Sequence, residues 1–218
     1  MDDPTDKSPF PSKRKKQALK EFQEKTGVVL ANAFENGTRE DAAAIERQLG
    51  FIPTNVISVA SRGETGEPTV LKLYPLAVSL KGARAGNGDR QPFPTMYWLS
   101  CPSLKAAVSQ LENQGLVGEW ERRLQADTIV LEQMKAAHKS YAEERWAMLT
   151  SADLDIVKQR GWQTSLGLDV GVAGISKSST VKCLHTHLAH FLATGENVIG
   201  SWVHDALQGG LHISSVAK

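Results

Sequence analysis

The sequence predicts one α+β domain: a small antiparallel sheet of three to four strands in the N-terminal half, packed with a C-terminal set of helices. Three observations lead there. Short β-branched runs separated by Gly and Pro turns fall between residues 55 and 99. From residue 103 onward apolar residues recur at intervals of three and four. Strands come first and helices after, which argues against an alternating parallel α/β chain. The composition agrees, since 41% hydrophobic and 22% charged residues over 218 positions describe a globular chain rather than a disordered one.

Taken in order, residues 1–38 read as a basic, Pro/Ser-containing extension, partly disordered. Its first 25 residues hold seven basic and five acidic side chains, so the net charge of +1 belongs to this tail and the remainder carries −1. The run Lys13-Arg14-Lys15-Lys16 reads either as a nuclear-import or polyanion-binding patch or as a solvated tail. A weak helical pattern over 17–34 stops at Asn36-Gly37. Thr38 then has the character of an N-cap with acidic residues in the first turn, and the helix it opens stops at Gly50. Residues 55–60 and 70–74 read as strands joined by a turn containing Gly63, Gly66 and Pro68. Residues 76–80 read as a third strand or a continuation past Pro75, and 95–99 as a returning strand after a glycine-containing loop over 81–91.

Helices follow over 103–114, 116–124, 127–149, 153–160 (capped by Ser151), 181–193 and 201–207, with a loop over 163–180 and a short tail over 209–218. No run of 18 apolar residues exists, which excludes a membrane-spanning helix, and the acidic opening Met1-Asp2-Asp3-Pro4 predicts no secretory leader. Two cysteines exclude a disulfide-stapled scaffold and predict a reducing, cytoplasmic setting, with the nucleus as the alternative through Lys13–Lys16. Without a basic excess in the folded part, nucleic acid is not an expected partner.

The chemistry concentrates in the last third. On a helical wheel started at Val181, Cys183, His187 and His190 form a stripe beside an apolar arc of Val181, Leu184, Leu188, Phe191 and Leu192, with His185 on the arc's far edge. Thiolate and imidazole on one face are ligands for zinc or iron, so Cys183, His190 and Cys101 are the candidate metal set. The competing reading makes Cys183 a small buried hydrophobe and the histidines hydrogen-bonded core. Cys101 precedes Pro102, a first-turn proline, which puts the thiol at a helix N-cap where a thiolate is favoured. With His190 and His185 as base, Cys101 is the candidate nucleophile. The loop Gly171-Val-Ala-Gly-Ile-Ser-Lys-Ser-Ser-Thr180 leads toward a helix N-terminus, which suits an anion, but Ser176 stands where a phosphate loop needs glycine. Arg62, Lys177, Lys182 and Ser176 are therefore candidate anion contacts, or Ser179 and Thr180 merely cap the helix. His138, Tyr141 and Arg145 share one face of the long helix as further pocket candidates; the plainer expectation is that Tyr141 packs and Arg145 pairs with a carboxylate at the rim.

Several pieces together resemble the bacterial domain of unknown function 501 family, from about residue 39 to 207. They are Glu46-Arg47-Gln48-Leu49-Gly50; Pro92-Phe93-Pro94-Thr95 with Tyr97 and Cys101-Pro102; Ala137-His138 with Tyr141; Gly174-Ile175-Ser176; and Val181-Lys182-Cys183-Leu184-His185 with Ala189-His190. The family has no established activity. Its bacterial genes are often neighbours of those for an exopolyphosphatase, an enolase and a septum-forming protein, which implies phosphate metabolism or cell division by association alone. The family pattern includes equivalents of Cys101, Lys182, Cys183, His185 and His190, but not His187. Many members carry a cysteine pair where this chain has Arg62-Gly63-Glu64-Thr65-Gly66, so any metal held through that pair is lost here or was never common to the family.

The function expected from these readings is a small enzyme or sensor with a Cys/His pocket acting on an anionic, phosphorylated small molecule, with zinc or iron as the cofactor if a metal is used. The alternative is a protein-interaction module or homo-oligomer in which the Cys/His residues are structural and one of Trp98, Trp120, Trp146, Trp162 or Trp202 is an exposed anchor.

Overall fold

A computed structural model describes residues 37–78 and 90–209. The expected N-terminal extension up to residue 36, with Lys13–Lys16 and the pattern over 17–34, lies outside the described residues, as do 79–89 and the tail from 210. Helix α1 (Arg39–Leu49) opens on a capping box in which the Thr38 hydroxyl accepts the Asp41 N–H and Asp41 accepts the Thr38 N–H; it ends at Gly50, whose φ of 79° needs glycine. Strands β1 (Val56–Arg62), β2 (Pro68–Leu73) and β5 (Tyr97–Leu99) form an antiparallel sheet in the order β1-β2-β5, with Leu71 opposite Val59 and Trp98. Strands β3 (Leu76–Val78) and β4 (Arg90–Pro92) form a separate antiparallel pair, because Pro75 interrupts the chain after β2.

The helices are α2 (Pro102–Asn113), α3 (Leu116–Ala126), α4 (Thr128–Ala147), α5 (Ser151–Gln159), α6 (Gln163–Leu166), α7 (Leu184–Thr194) and α8 (Val198–Gln208), with a 3₁₀ turn at Val172–Gly174. The architecture is α+β, a small antiparallel sheet in the N-terminal half and helices mostly after it. Period-two alternation divides the strands between two cores. Val70, Tyr97 and Leu99 face α2, α4, α7 and α8, meeting Val108, Tyr141, Leu188 and Val203 among others. Leu71, Leu73 and Trp98 face the other way, onto Ile45, Leu49 and Phe51. Burying each such aliphatic side chain is worth about 1.5–3 kcal/mol, so both faces of this three-stranded sheet are stabilising surfaces.

Two placements differ from the sequence reading for local reasons. Thr150, not Ser151, caps α5, its hydroxyl accepting the Asp153 N–H at 3.2 Å. Helix α7 begins at Leu184 rather than Val181, since Cys183 is extended at φ −140°, ψ 113°. Once begun, α7 is a central element: every residue from Leu184 to His190 is buried, and it packs on β5 and α8. Gly200 permits the close approach of α8, because a Cβ there would strike the His187 carbonyl oxygen and the Phe191 Cβ. None of the five tryptophans is an exposed anchor: Trp98 and Trp120 are buried and Trp146, Trp162 and Trp202 are half-buried. Among the described residues no helix is long and apolar enough to cross a membrane.

Candidate functional site

The start of α7 meets the C-terminal end of α2, and that meeting brings Glu112, Cys183 and His185 together. One ligand atom from each lies within 4.8 Å of the others. His185 Nδ1 donates to Glu112 Oε1 at 3.2 Å and sits 3.8 Å from Cys183 Sγ. On the opposite side of the ring, Nε2 donates to the Lys105 carbonyl at 3.1 Å, with Ser109 Oγ 3.3 Å away. Both ring nitrogens thus face acceptors, the environment of an imidazolium. Burial opposes that charge, but the hydrogen bonds to Cys183 and Glu112 outweigh it and lift the pKa to about 10. Burial likewise opposes the Glu112 carboxylate, yet His185 and the Leu184 N–H hold its carboxyl below the usual range. Cys183 is half-buried and Cys101 buried, and both thiols are free.

The N-terminus of α7 was the expected seat of an anion, and the protein fills it from within. Glu112 Oε1 accepts the Leu184 N–H at 2.7 Å, and Glu121 Oε2 accepts the Val181 N–H at 2.8 Å. The expected caps Ser179 and Thr180 lie upstream of the helix, in a turn closed by the Thr180 N–H on the Lys177 carbonyl. Ser176 and Lys177 are exposed on that loop, and Lys182 Nζ donates to the Gly174 carbonyl at 3.2 Å. Arg62 is engaged elsewhere: its guanidinium grips Asp41 at 2.6 and 2.9 Å and holds that carboxyl down to about 2.

Cys101 does stand at the N-cap position of α2 with Pro102 after it, as expected, but its side chain makes no capping hydrogen bond and its Sγ lies 3.1 Å from Ser103 Oγ. It stands about 16 Å along α2 from Glu112, at 1.5 Å rise per residue, so the structure does not bring it to Cys183. His190 is not beside Cys183 either. Its ring stacks on Tyr97 at 5.7 Å, meets Tyr141 edge-on at 5.1 Å, and receives the Asn197 side-chain N–H at Nδ1. With burial as the cause, its pKa falls to about 4. His138 accepts the Val172 N–H at Nδ1 and is likewise pushed down to about 4 by burial.

Tyr141 packs in the core as expected, its hydroxyl accepting the Met96 N–H at 2.6 Å. Arg145, in place of a rim carboxylate, is fully buried among backbone carbonyls: those of Gly167 at 2.9 Å, Val170, Leu166 at 3.4 Å and Pro94 at 3.5 Å. It ties the 166–170 turn to the segment between β4 and β5. Sequence reasoning missed Glu112, Asn197 and the carbonyl of Lys105. Nothing local marks them, because Glu112 reaches His185 across 73 positions.

A search of curated proteins and a search of solved structures each found no match to the chain. A family comparison did: residues 59–205 match the family described as protein of unknown function (DUF501), beginning within β1 and ending in α8. That match takes in every residue of the Glu112–Cys183–His185 cluster and leaves α1, with the Glu46–Gly50 piece of the sequence resemblance, outside it. Covering about two thirds of the chain, it establishes kinship without an activity, and this protein is a member of the DUF501 family.

Proposed function

We propose that this protein is a metal-dependent enzyme or sensor for a small anionic molecule, with Glu112, Cys183 and His185 holding a zinc or iron ion. The observation that carries the reading is the convergence of three different ligand atoms within 4.8 Å of one another. For zinc at bond lengths of about 2.0–2.3 Å, tetrahedral geometry places ligand atoms about 3.3–3.8 Å apart. The separations of 3.2 and 3.8 Å at His185 Nδ1 bracket that range. The hydrogen bond from Nε2 to the Lys105 carbonyl supports the same reading, because it leaves Nδ1 as the nitrogen that gives up its proton to an ion. Three protein ligands leave one position open, the arrangement of catalytic rather than structural zinc. That position would take water or an oxygen of the anionic molecule, with Lys182 adjoining the ligand Cys183. Two free thiols suit a reducing, cytoplasmic setting for such a site.

Elemental analysis of tag-free protein tests this, with Cys183→Ala, His185→Ala and, as control, Cys101→Ala. About one zinc or iron per chain is expected in the native protein and the control, falling near background in the other two while circular dichroism stays unchanged. No bound metal after zinc and iron supplementation, or metal retained in both ligand variants, would sink the reading.

A further inference from the structure

At the end of α7 away from Cys183, Gly195 closes the helix and the chain turns into α8. A groove of about 520 Å³ runs between α4 and this corner. Ala137 and Ser140 line it from α4, and Phe191, Val198 and Ser201 from the corner. Phe191 and Val198 are only half-buried, so they leave apolar surface in water that a further side chain can cover. Glu196, exposed at the corner, is the one charged side chain among the described residues that line the groove. Small residues beside two apolar ones suit a branched aliphatic side chain, and the carboxylate suits a cation.

The chain itself carries a segment of that chemistry. After Gly209 come residues 210–218, with branched aliphatics at Leu211, Ile213 and Val216 and a cation at Lys218. Helix α8 takes the chain about 16 Å from Val198 to Gly209, at 1.5 Å rise per residue. From Gly209 to Val216 an extended chain reaches up to about 23 Å, at about 3.3 Å per residue. A return along α8 to Val198 therefore lies within reach, with length to spare for a reversal at Gly209-Gly210, which no Cβ obstructs. The side of α8 leading back to the groove is open, since Gln208 and Asp205 are exposed and Ser201 is half-buried. The spacing also agrees. In an antiparallel return that sets Val216 against Val198, Lys218 lies two places on and Glu196 two places back, so the opposite charges meet.

We infer that residues 211–218 fold back along α8 and close this groove, with Val216 packed on Phe191 and Val198 and Lys218 paired with Glu196. The groove is then an intramolecular docking site, and any partner that uses it must first displace this strap. Because it lies at the opposite end of α7 from Cys183, the inference stands or falls separately from the metal reading.

Isotope-filtered NOE spectroscopy of the full-length protein, run on labelled chains and on a mixture of labelled and unlabelled chains, tests it. Contacts from the Val216 methyl groups to the Val198 methyl groups and the Phe191 ring are expected, all within one chain. Glu196→Lys should lower the ratio of docked to undocked strap about two- to fivefold, the range of an exposed ion pair. Adding Lys218→Glu to the same chain should restore it. Val216→Asp should abolish the contacts and leave the signals of the sheet and of α2 in place. All three substitutions fall outside the buried core, so loss of folding does not confuse the result. Absence of the Val216 contacts would overturn the inference. So would contacts seen only between labelled and unlabelled chains, which make the occupant a second copy, or a docked ratio that Glu196→Lys leaves unchanged.

Discussion

Two faces of one helix handle the same side chain in opposite ways. On the α2 face, His185 donates from both ring nitrogens, to Glu112 and to the Lys105 carbonyl, and its pKa rises to about 10 despite burial. On the face toward α4 and α8, His187 and His190 accept from the Asn197 amide, and burial drops them to about 3 and 4. Position on α7 does not decide this, since all three are buried in the same eleven-residue helix. The partner's chemistry does: a carboxylate and a carbonyl make a histidine a cation, whereas an amide donor leaves it neutral. The lesson is that a histidine's role is set by what its neighbouring elements bring to it.

The contrast has a pH signature, and it is the largest effect expected. His138 and His190 have folded pKa values below the unfolded value of about 6.5, so the unfolded chain binds more protons between the two. Their contribution is fully present above pH 6.5 and is lost as pH falls through about 4. At pH 5 this amounts to about 2 kcal/mol for each. His185 has the opposite sign, with its contribution fully present below about pH 6.5 and lost as pH rises through about 10. Urea denaturation of metal-free protein between pH 4.5 and 10.5 should therefore give a stability maximum near pH 6.5. His138→Phe should make the acid limb alone shallower, leaving the His190 share, and His185→Gln should flatten the alkaline limb alone. A profile in which either variant flattens both limbs would break the comparison.

Mechanical separation of the faces comes next. Gly200→Ala forces a Cβ into the His187 carbonyl and Phe191. Neither backbone nor Cβ can yield, so a loss of about 3 kcal/mol is expected by denaturant titration. The His190 ring should lose its Asn197 partner while the His185 NMR signals hold their positions. Asn197→Ala removes the α8 cap and both imidazole hydrogen bonds and leaves a Cβ at positive φ, for about 2 kcal/mol. Asn197→Gly makes the same deletions without the backbone strain, so the difference between the two variants isolates that strain. Equal losses would show that the conformation at Asn197 carries no penalty.

Much of the scaffold was legible because its signals are local. Thr38 with Asp41, Pro102 after Cys101, and Gly50, Gly115 and Gly195 in the left-handed region mark helix ends through their own backbone demands. The helix wheel failed at one point with large consequences. Starting α7 at Val181 instead of Leu184 put Cys183 on a stripe with His187 and His190, whereas an extended Cys183 turns to His185, two residues on. Arg145 was read as a rim residue because sequence cannot distinguish a carboxylate partner from a ring of backbone carbonyls, and the carbonyls come from Pro94 and residues 166–170. Glu112 and Asn197 carried no motif; each matters only because packing sets it against α7. Residue types announced the chemistry, and tertiary contacts assigned it.

The smallest effect expected is also the one that tests how far the α2 face depends on charge. In Glu112→Gln the side-chain oxygen still accepts the Leu184 N–H, and the shape is kept. What disappears is the negative charge that, with Cys183, overcomes burial to keep His185 doubly protonated. The His185 pKa should fall toward its ordinary range. Since the native contribution is present below pH 6.5 and lost through about 10, the variant should be weaker by about 1–2 kcal/mol at pH 6 and equal to the native protein at pH 10.5. Its His187 and His190 tautomers should not change, because Asn197 sets them from the other side. A deficit that persists at pH 10.5 would mean that Glu112 acts through packing and the α7 N-terminus, with the ion pair secondary; a shifted His190 tautomer would mean that the two faces are coupled through the helix.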